Sequence, residues 1–438
     1  GSHVQPTVMG EHTRIHGLGL ISVVIFGLSQ VSYLRGSLTH ANLSDKSIDM
    51  RRSVRCWPLL ARLRTSLGPH RGNLGIRSAS LRSSALESSK TSGKVISPPL
   101  ALGERFSVAP MMDYTDRHFR FLLRMITKKA WLYTEMITSE ALIHGDADRL
   151  LRYHDPIEHP VALQLGGSDP DSLAKGVKKA LPYAYDAINL NCGCPSDKVS
   201  GRGSFGAALM KEPDYTAVLC ESMIQQAAAT DTPVSVKCRI GVDENDDYHY
   251  LKQFVTALGD VGVRHFIIHA RKAILNMNLS PKQNREIPPL KYQYVHRLVV
   301  DFPSYSFVLN GGVKSLEEAD EFLKAGVAGV MVGREIINRP WYWGDVDRRL
   351  FGVENPRLSR REILGNYSAY AVVEMERDPR LGISTVLKPV QHLFVGERGA
   401  RAYRRTIAEL SAKKVAVDEI LKAAINCIGD QDLDQRWP

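Results

Sequence analysis

At 438 residues the chain has room for two or three domains, and its apolar content of 44% is ordinary for a soluble protein. The formal charge of +10 suggests nucleic acid, but residues 1–100 carry 13 Lys and Arg against 4 acids, while residues 101–438 carry 44 against 43. A uniformly basic binding surface is therefore excluded, and any contact with nucleic acid must rest on local clusters.

Gly1–His3 read as the scar of a cleaved tag. The apolar run "IHGLGLISVVIFGLSQVSYL" (15–34) approaches a membrane-spanning length, but Ser, Gln, His and Gly interrupt it. From Arg51 to Lys94 there are eight Arg, nine Ser and one acid, the composition of an organellar (chloroplast or mitochondrial) transit peptide. Residues 1–100 are thus expected to be a targeting or disordered extension, with no stable membrane association.

Beyond residue 100, short β-branched runs alternate with helical patterns. The runs are "FSVAPM" (106–111), "WLYTEM" (131–136), "VALQLG" (161–166), "AINLNCG" (187–193), "VSVKCRIG" (234–241), "HFIIHAR" (265–271), "FVLNGG" (307–312) and "GVMVGRE" (329–335). Asp169-Pro170, and Ser315 with Glu318, mark helix starts. Eight such units over 101–350 predict an α/β fold, a (β/α)8 TIM barrel. A doubly wound sheet is disfavoured, since no G-x-G-x-x-G follows the first strand. Residues 351–438 show only helical spacing, at 359–377 and 401–425, and predict an all-α second domain.

Catalysis in this barrel sits at the C-terminal ends of the strands. Those ends carry Gln164, Asn189, Asn191, Cys194, Lys237, Arg239, His269, Arg271, Lys272, Asn310-Gly311-Gly312 and Gly333-Arg334. Taken singly, each has an ordinary role as a turn former or rim residue. Together on one rim they indicate a site. "NGG" and "GR" after the last two strands suit a phosphate, because glycines let backbone N–H groups approach an anion. Lys237 and Gln164 suit an electron-rich heteroaromatic ring such as a flavin.

The six cysteines (Cys56, Cys192, Cys194, Cys220, Cys238, Cys427) include no C-x-x-C pair. Free thiols and no metal site are expected. Strand parity places Cys192 with Ile188 and Leu190, toward the outer helices. Cys194 falls in the turn above the barrel, where an ordinary thiol can serve as a proton donor.

The motifs "SVAPMMDYTDRHFRFLLR", "LYTEM", "HPVALQLGGSDP", "INLNCGCPSDKV", "GSFGAALM", "VKCRIGVD", "IIHARKAIL", "LSPKQNREIPPLKY", "LNGGV" and "VMVGREIINRPW", in this order, resemble the tRNA-dihydrouridine synthases, in particular the subgroup acting at D-loop positions 20 and 20a. The resemblance implies an FMN-bearing barrel followed by a helical tRNA-binding domain. It places Pro110, Met111, Met112, Gln164, Lys237, His269, Asn310, Gly311, Gly312, Gly333 and Arg334 against FMN. Asn191, Lys282 and Arg285 match positions that touch tRNA, with Arg271 beside them. Arg401 and Arg404 would add contacts from the helical domain, within six Lys and Arg over 398–414. It also implies that NADPH reduces the flavin, that hydride passes to C6 of a flipped uracil, and that Cys194 protonates C5. A monomer is expected. Two other readings share the barrel: a flavin oxidoreductase of a free pyrimidine or enone, and a non-catalytic tRNA-binding protein.

Overall fold

The computed structural model describes residues 104–153, 156–201, 204–277 and 279–438. The segment expected to be a targeting peptide and the apolar run at 15–34 lie outside the described residues. No helix among the described residues is long and apolar enough to cross a membrane.

Eight parallel strands run β1 (Phe106–Val108), β2 (Leu132–Thr138), β3 (Val161–Gly166), β4 (Ala187–Cys192), β5 (Val234–Arg239), β6 (His265–His269), β7 (Ser306–Asn310) and β8 (Gly329–Val332). Each pairs with its sequence neighbour, and β8 pairs with β1. A bridge between Ser107 and Trp131 closes the ring, with Val108 N donating to Trp131 O at 2.9 Å. Both faces of the strands are buried, and the outward face is apolar throughout, while β3, β4 and β5 turn Gln164, Asn189, Asn191, Ser235 and Lys237 inward. Ala109, Ala162, Ala187, Ile267, Val308 and Met331 fill the barrel with Trp131 and Tyr133. Residues of the other parity, such as Leu163, Leu190 and Val236, join the larger core under the helices.

The expected helix starts form. Asp169 accepts from Ser172 N ahead of the helix Pro170–Ala180, and Ser315 accepts from Glu318 N ahead of Leu316–Lys324. Most strands end one to three residues before their apolar runs do, β1 and β8 by the most. β1 stops at Val108, two residues before Pro110, which has no N–H to offer a ladder. β8 stops at Val332, and Arg334 opens a short helix, Arg334–Asn338.

The tail begins with the helix Arg360–Arg377, fixed by a reciprocal capping box between Ser359 and Glu362. The single periodic run at 401–425 proves to be two helices, Ala400–Ala412 and Val417–Ile425. Lys414 takes a left-handed conformation (φ 55°), while its N–H reaches Ser411 O and that of Val415 reaches Leu410 O. This is a Schellman ending with lysine where glycine is usual, so the sequence does not announce the break. The tail packs on the barrel helix Arg117–Ile126. The rings of Phe121 and Tyr370 stack at 3.9 Å, His118 Nδ1 lies 2.6 Å from Tyr370 Oη, and Arg117 pairs with Glu374. Barrel and tail belong to one compact unit.

Candidate active site

Strand parity carries the polar residues of β3, β4 and β5 into the barrel, where they form one continuous hydrogen-bonded chain. Asn189 Nδ2 donates to Ser235 Oγ, Gln164 Nε2 to Asn189 Oδ1, and Asn191 Nδ2 to Gln164 Oε1, each at 2.8–2.9 Å. Asn191 Oδ1 then accepts from Gly193 N and Cys194 N, at 3.0 and 2.9 Å. The chain therefore ends on the turn that bears Cys194. From the other side Ser200 Oγ and Ala207 N donate to Cys194 O. Gly206 is required there: its φ is +65°, and a Cβ would lie 2.7 Å from Cys194 O.

The two cysteines separate as parity predicts. Cys192 is fully buried beside Cys220 and Cys238 under the outer helices, and burial pushes its thiol far up. Cys194 is partly exposed at the mouth. Burial raises its thiol too, and this outweighs Arg239, Arg285 and Lys237, which favour the thiolate. At neutral pH Cys194 is a protonated thiol amid positive charge.

On the adjacent strand β5, Lys237 Nζ donates to Asn310 Oδ1 at 3.0 Å, and Asn310 Nδ2 to Met331 O at 2.9 Å. Burial lowers Lys237 to about 8. Burial, with Arg239 and Lys237 next, holds His269 well below its ordinary value, so its imidazole is neutral. Gly311 (φ +115°) and Gly312 (φ +78°) turn the chain beyond β7. A Cβ on Gly311 would strike His269 Cδ2 at 2.6 Å, and one on Gly312 would meet Leu290 and Tyr292 at 2.7 Å. Lys237, His269 and the Asn310-Gly311-Gly312 turn are thus one contiguous patch. Around Gly333 an added Cβ would meet only Ala109 and Met111, both at 3.8 Å. Pro110 and Met111 are half-buried at this rim, and Met112 is exposed.

Arg334 is not free here: its guanidinium pairs with Glu286 at 2.8 Å. Arg271 is drawn to the carbonyl of Pro288, and Lys272 to Asp243 O and Asp246. Both hold the loop after β6 in place. That loop presents Lys282, exposed, and Arg285, half-buried and close enough to Cys194 and Tyr114 to feel both. Arg401 and Arg404 lie on the helix Ala400–Ala412; Arg401 is exposed, and Arg404 lies near His392. No described contact joins these two to the mouth. Among the described residues no group of His, Cys, Asp and Glu could hold a metal ion.

Two features escaped the sequence reading. Lys388, from the tail, donates to Asp113 O at 2.6 Å and sits 4.1 Å above the Tyr114 ring, bringing the tail to the rim. Asp113 itself has φ 65°, with its N–H held by Glu135. No spacing in the sequence links 113 to 388.

A family model described as "Dihydrouridine synthase (Dus)" matches residues 107–428. The chain belongs to the dihydrouridine synthase family. It is 45% identical over 330 residues to the tRNA-dihydrouridine(20/20a) synthase of Vibrio cholerae serotype O1, covering 75% of this chain and 98% of that protein. It is 44% identical over 319 residues to the protein of the same name from Synechocystis sp., covering 73% and 93%. Dihydrouridine synthases are in general flavin-dependent, and the patch described above fits FMN. The backbone at Gly333 is open, with nothing closer than 3.8 Å to an added Cβ, the half-buried Lys237 forms no ion pair among the described residues, and its register partner Asn191 bonds Gln164.

Proposed function

We propose that this chain reduces the C5–C6 bond of uridine 20 or 20a in tRNA, using FMN and NADPH. Pro110, Met111, Met112, Gln164, Lys237, His269, Asn310, Gly311, Gly312, Gly333 and Arg334 would hold the FMN. Bound and reduced by NADPH, it supplies hydride to one carbon of the uracil double bond. Cys194 supplies the proton to the other, and its thiol is in the right form to do so at neutral pH because burial keeps it protonated. Asn191 holds the acid by its Oδ1, and its second amide hydrogen is left for a uracil carbonyl. Lys237 places positive charge where a reduced, electron-rich ring is stabilised. Lys282 and Arg285 would grip the backbone of an extruded nucleotide, and Arg401 and Arg404 the tRNA body.

The observation that carries this reading is Cys194, held by Asn191, which also bonds Gln164 and is the register partner of Lys237. The test is to incubate the protein with unmodified tRNA, FMN and NADPH and to map dihydrouridine by position. Conversion at 20 or 20a is expected; no conversion in tRNA, with turnover of free uracil, would replace this reading with a small-molecule reductase.

A further inference from the structure

The loop after β6, residues 270–291, and the turn after β4 belong to different βα units. Lys282 and Arg285 lie on the first, and Cys194 on the second. They share no backbone hydrogen bond among the described residues; Arg239, at the end of β5 between them, joins them. Its side chain is 2% exposed. Its Nε donates to Gly193 O at 3.0 Å, and its Nη1 to Lys272 O at 2.9 Å and Asn284 O at 2.8 Å. Two of these three carbonyls belong to the peptide units directly preceding Cys194 and Arg285. Asn284 is itself fully buried and spans its loop: its Oδ1 accepts from Ile274 N and its Nδ2 donates to Ile274 O.

A buried guanidinium usually stands against a carboxylate, because desolvating an unpaired charge is costly. Arg239 has no ion pair among the described residues, and burial brings it down to about 10. Its hydrogen bonds among the described residues all go to backbone carbonyls. Simple packing would be met by an apolar side chain at this position. A planar fork that reaches two separate loops at once is what arginine supplies and lysine does not.

We propose that Arg239 is a positioning residue that holds the acid turn and the loop bearing Arg285 in fixed register, so that gripping the nucleotide and presenting the proton are one coupled event. The part concerning nucleotide rests on the function proposed above; the strut itself does not. It follows that loosening either end is felt at the other. The charge of Arg239 has a separate effect, which is to favour the thiolate of Cys194.

The test compares Arg239→Lys, which keeps the charge and loses the fork, with Asn284→Ala, which touches neither Cys194 nor Arg239's side chain contacts with Gly193. Hydrogen exchange of the full chain is read without substrate. In Arg239→Lys, the segments 191–196 and 272–286 are expected to lose protection together, about tenfold or more, while β1 and β7 keep theirs. In Asn284→Ala, iodoacetamide should alkylate Cys194 at a rate changed by about threefold or more at fixed pH. Loss of protection in one segment alone, or an unchanged Cys194 rate in Asn284→Ala, overturns the strut. If Arg239→Lys does not fold, the Asn284→Ala result decides. With unmodified tRNA, a double-mutant cycle of Arg239→Lys with Arg285→Ala should be non-additive in kcat/KM; additive losses overturn the coupling. A wild-type chain that never reduces tRNA removes the proposed function but leaves the exchange result standing.

Discussion

At the scale of single residues, the site separates charge states by burial. Lys237 has a folded value of about 8 against an ordinary 10.5. Between these values the unfolded chain binds more protons than the folded one, so this group makes stability rise with pH from about 8 to 10.5. Below pH 8 its full cost is present, roughly 3–4 kcal/mol before water at the mouth screens it and less after. Lys237→Met should therefore raise the thermal midpoint of the flavin-free protein near pH 7, and the gain should shrink as the pH approaches 10. Parallel melts of both proteins across this range check it; a gain independent of pH would mean that packing, not charge, is responsible. The same substitution should weaken FMN binding. Cys194 has the opposite sign: burial raises it, so its alkylation at pH 7 should be slower than that of a free thiol and accelerate into the alkaline range. Cys194→Ala should keep bound flavin and its reduction by NADPH, yet lose about 100-fold or more in uridine reduction. Retained reduction would remove the thiol from the chemistry. The division of labour between Cys192 and Cys194 was legible from parity alone. The double employment of Asn191 was not, because its partners at 164, 193 and 194 meet only once β3 and β4 lie side by side.

At the scale of elements, the strand ends decide where glycine is needed. Gly311 leaves β7 at φ +115° with the His269 ring against its Cα. Gly311→Ala imposes both backbone strain and a clash, so it should cost more than about 1 kcal/mol of stability and abolish measurable FMN binding. Gly365→Ala is the control: nothing lies within 4 Å of an added Cβ, and the site is helical, so stability should hold or rise. Thermal melts and flavin titration of the two variants check the contrast. Eight strands could be read from short β-branched runs, because the face packed under the helices is apolar in every strand even where β3, β4 and β5 turn polar residues inward. Element ends were less legible. β1 and β8 end for local reasons, a proline and a helix start. The tail's last long run splits at Lys414, because two helices packed on one core preserve the apolar period across the break.

At the scale of the whole molecule, the tail is bound to the barrel through a mixed interface. Phe121, Tyr367 and Tyr370 form its apolar part, while Arg117–Glu374 and Arg149–Asp378 border it. Tyr367 is fully buried. Deleting the chain beyond 356 would expose Phe121 and leave Arg117 without its partner, so truncation tests folding before it tests substrate choice. Surface charge is the cleaner probe of the tail's role. Arg401 is exposed and Arg404 half-exposed on the helix Ala400–Ala412, and neither forms an ion pair among the described residues. If they meet phosphates, Arg401→Ala and Arg404→Ala should each weaken tRNA binding about equally for all tRNA sequences and lower the slope of log affinity against log salt by about 1. FMN content and the melting temperature should stay at the wild-type values, because no described hydrogen bond or ion pair runs from either side chain to the core. Filter binding of unmodified tRNA across a salt series measures this. An unchanged slope in the double variant would confine the tRNA footprint to the barrel mouth, where Lys282, Arg285 and the Lys388–Tyr114 contact stand. The basic cluster at 398–414 would then be only the solvated face of a helix, which is the ordinary fate of exposed arginine.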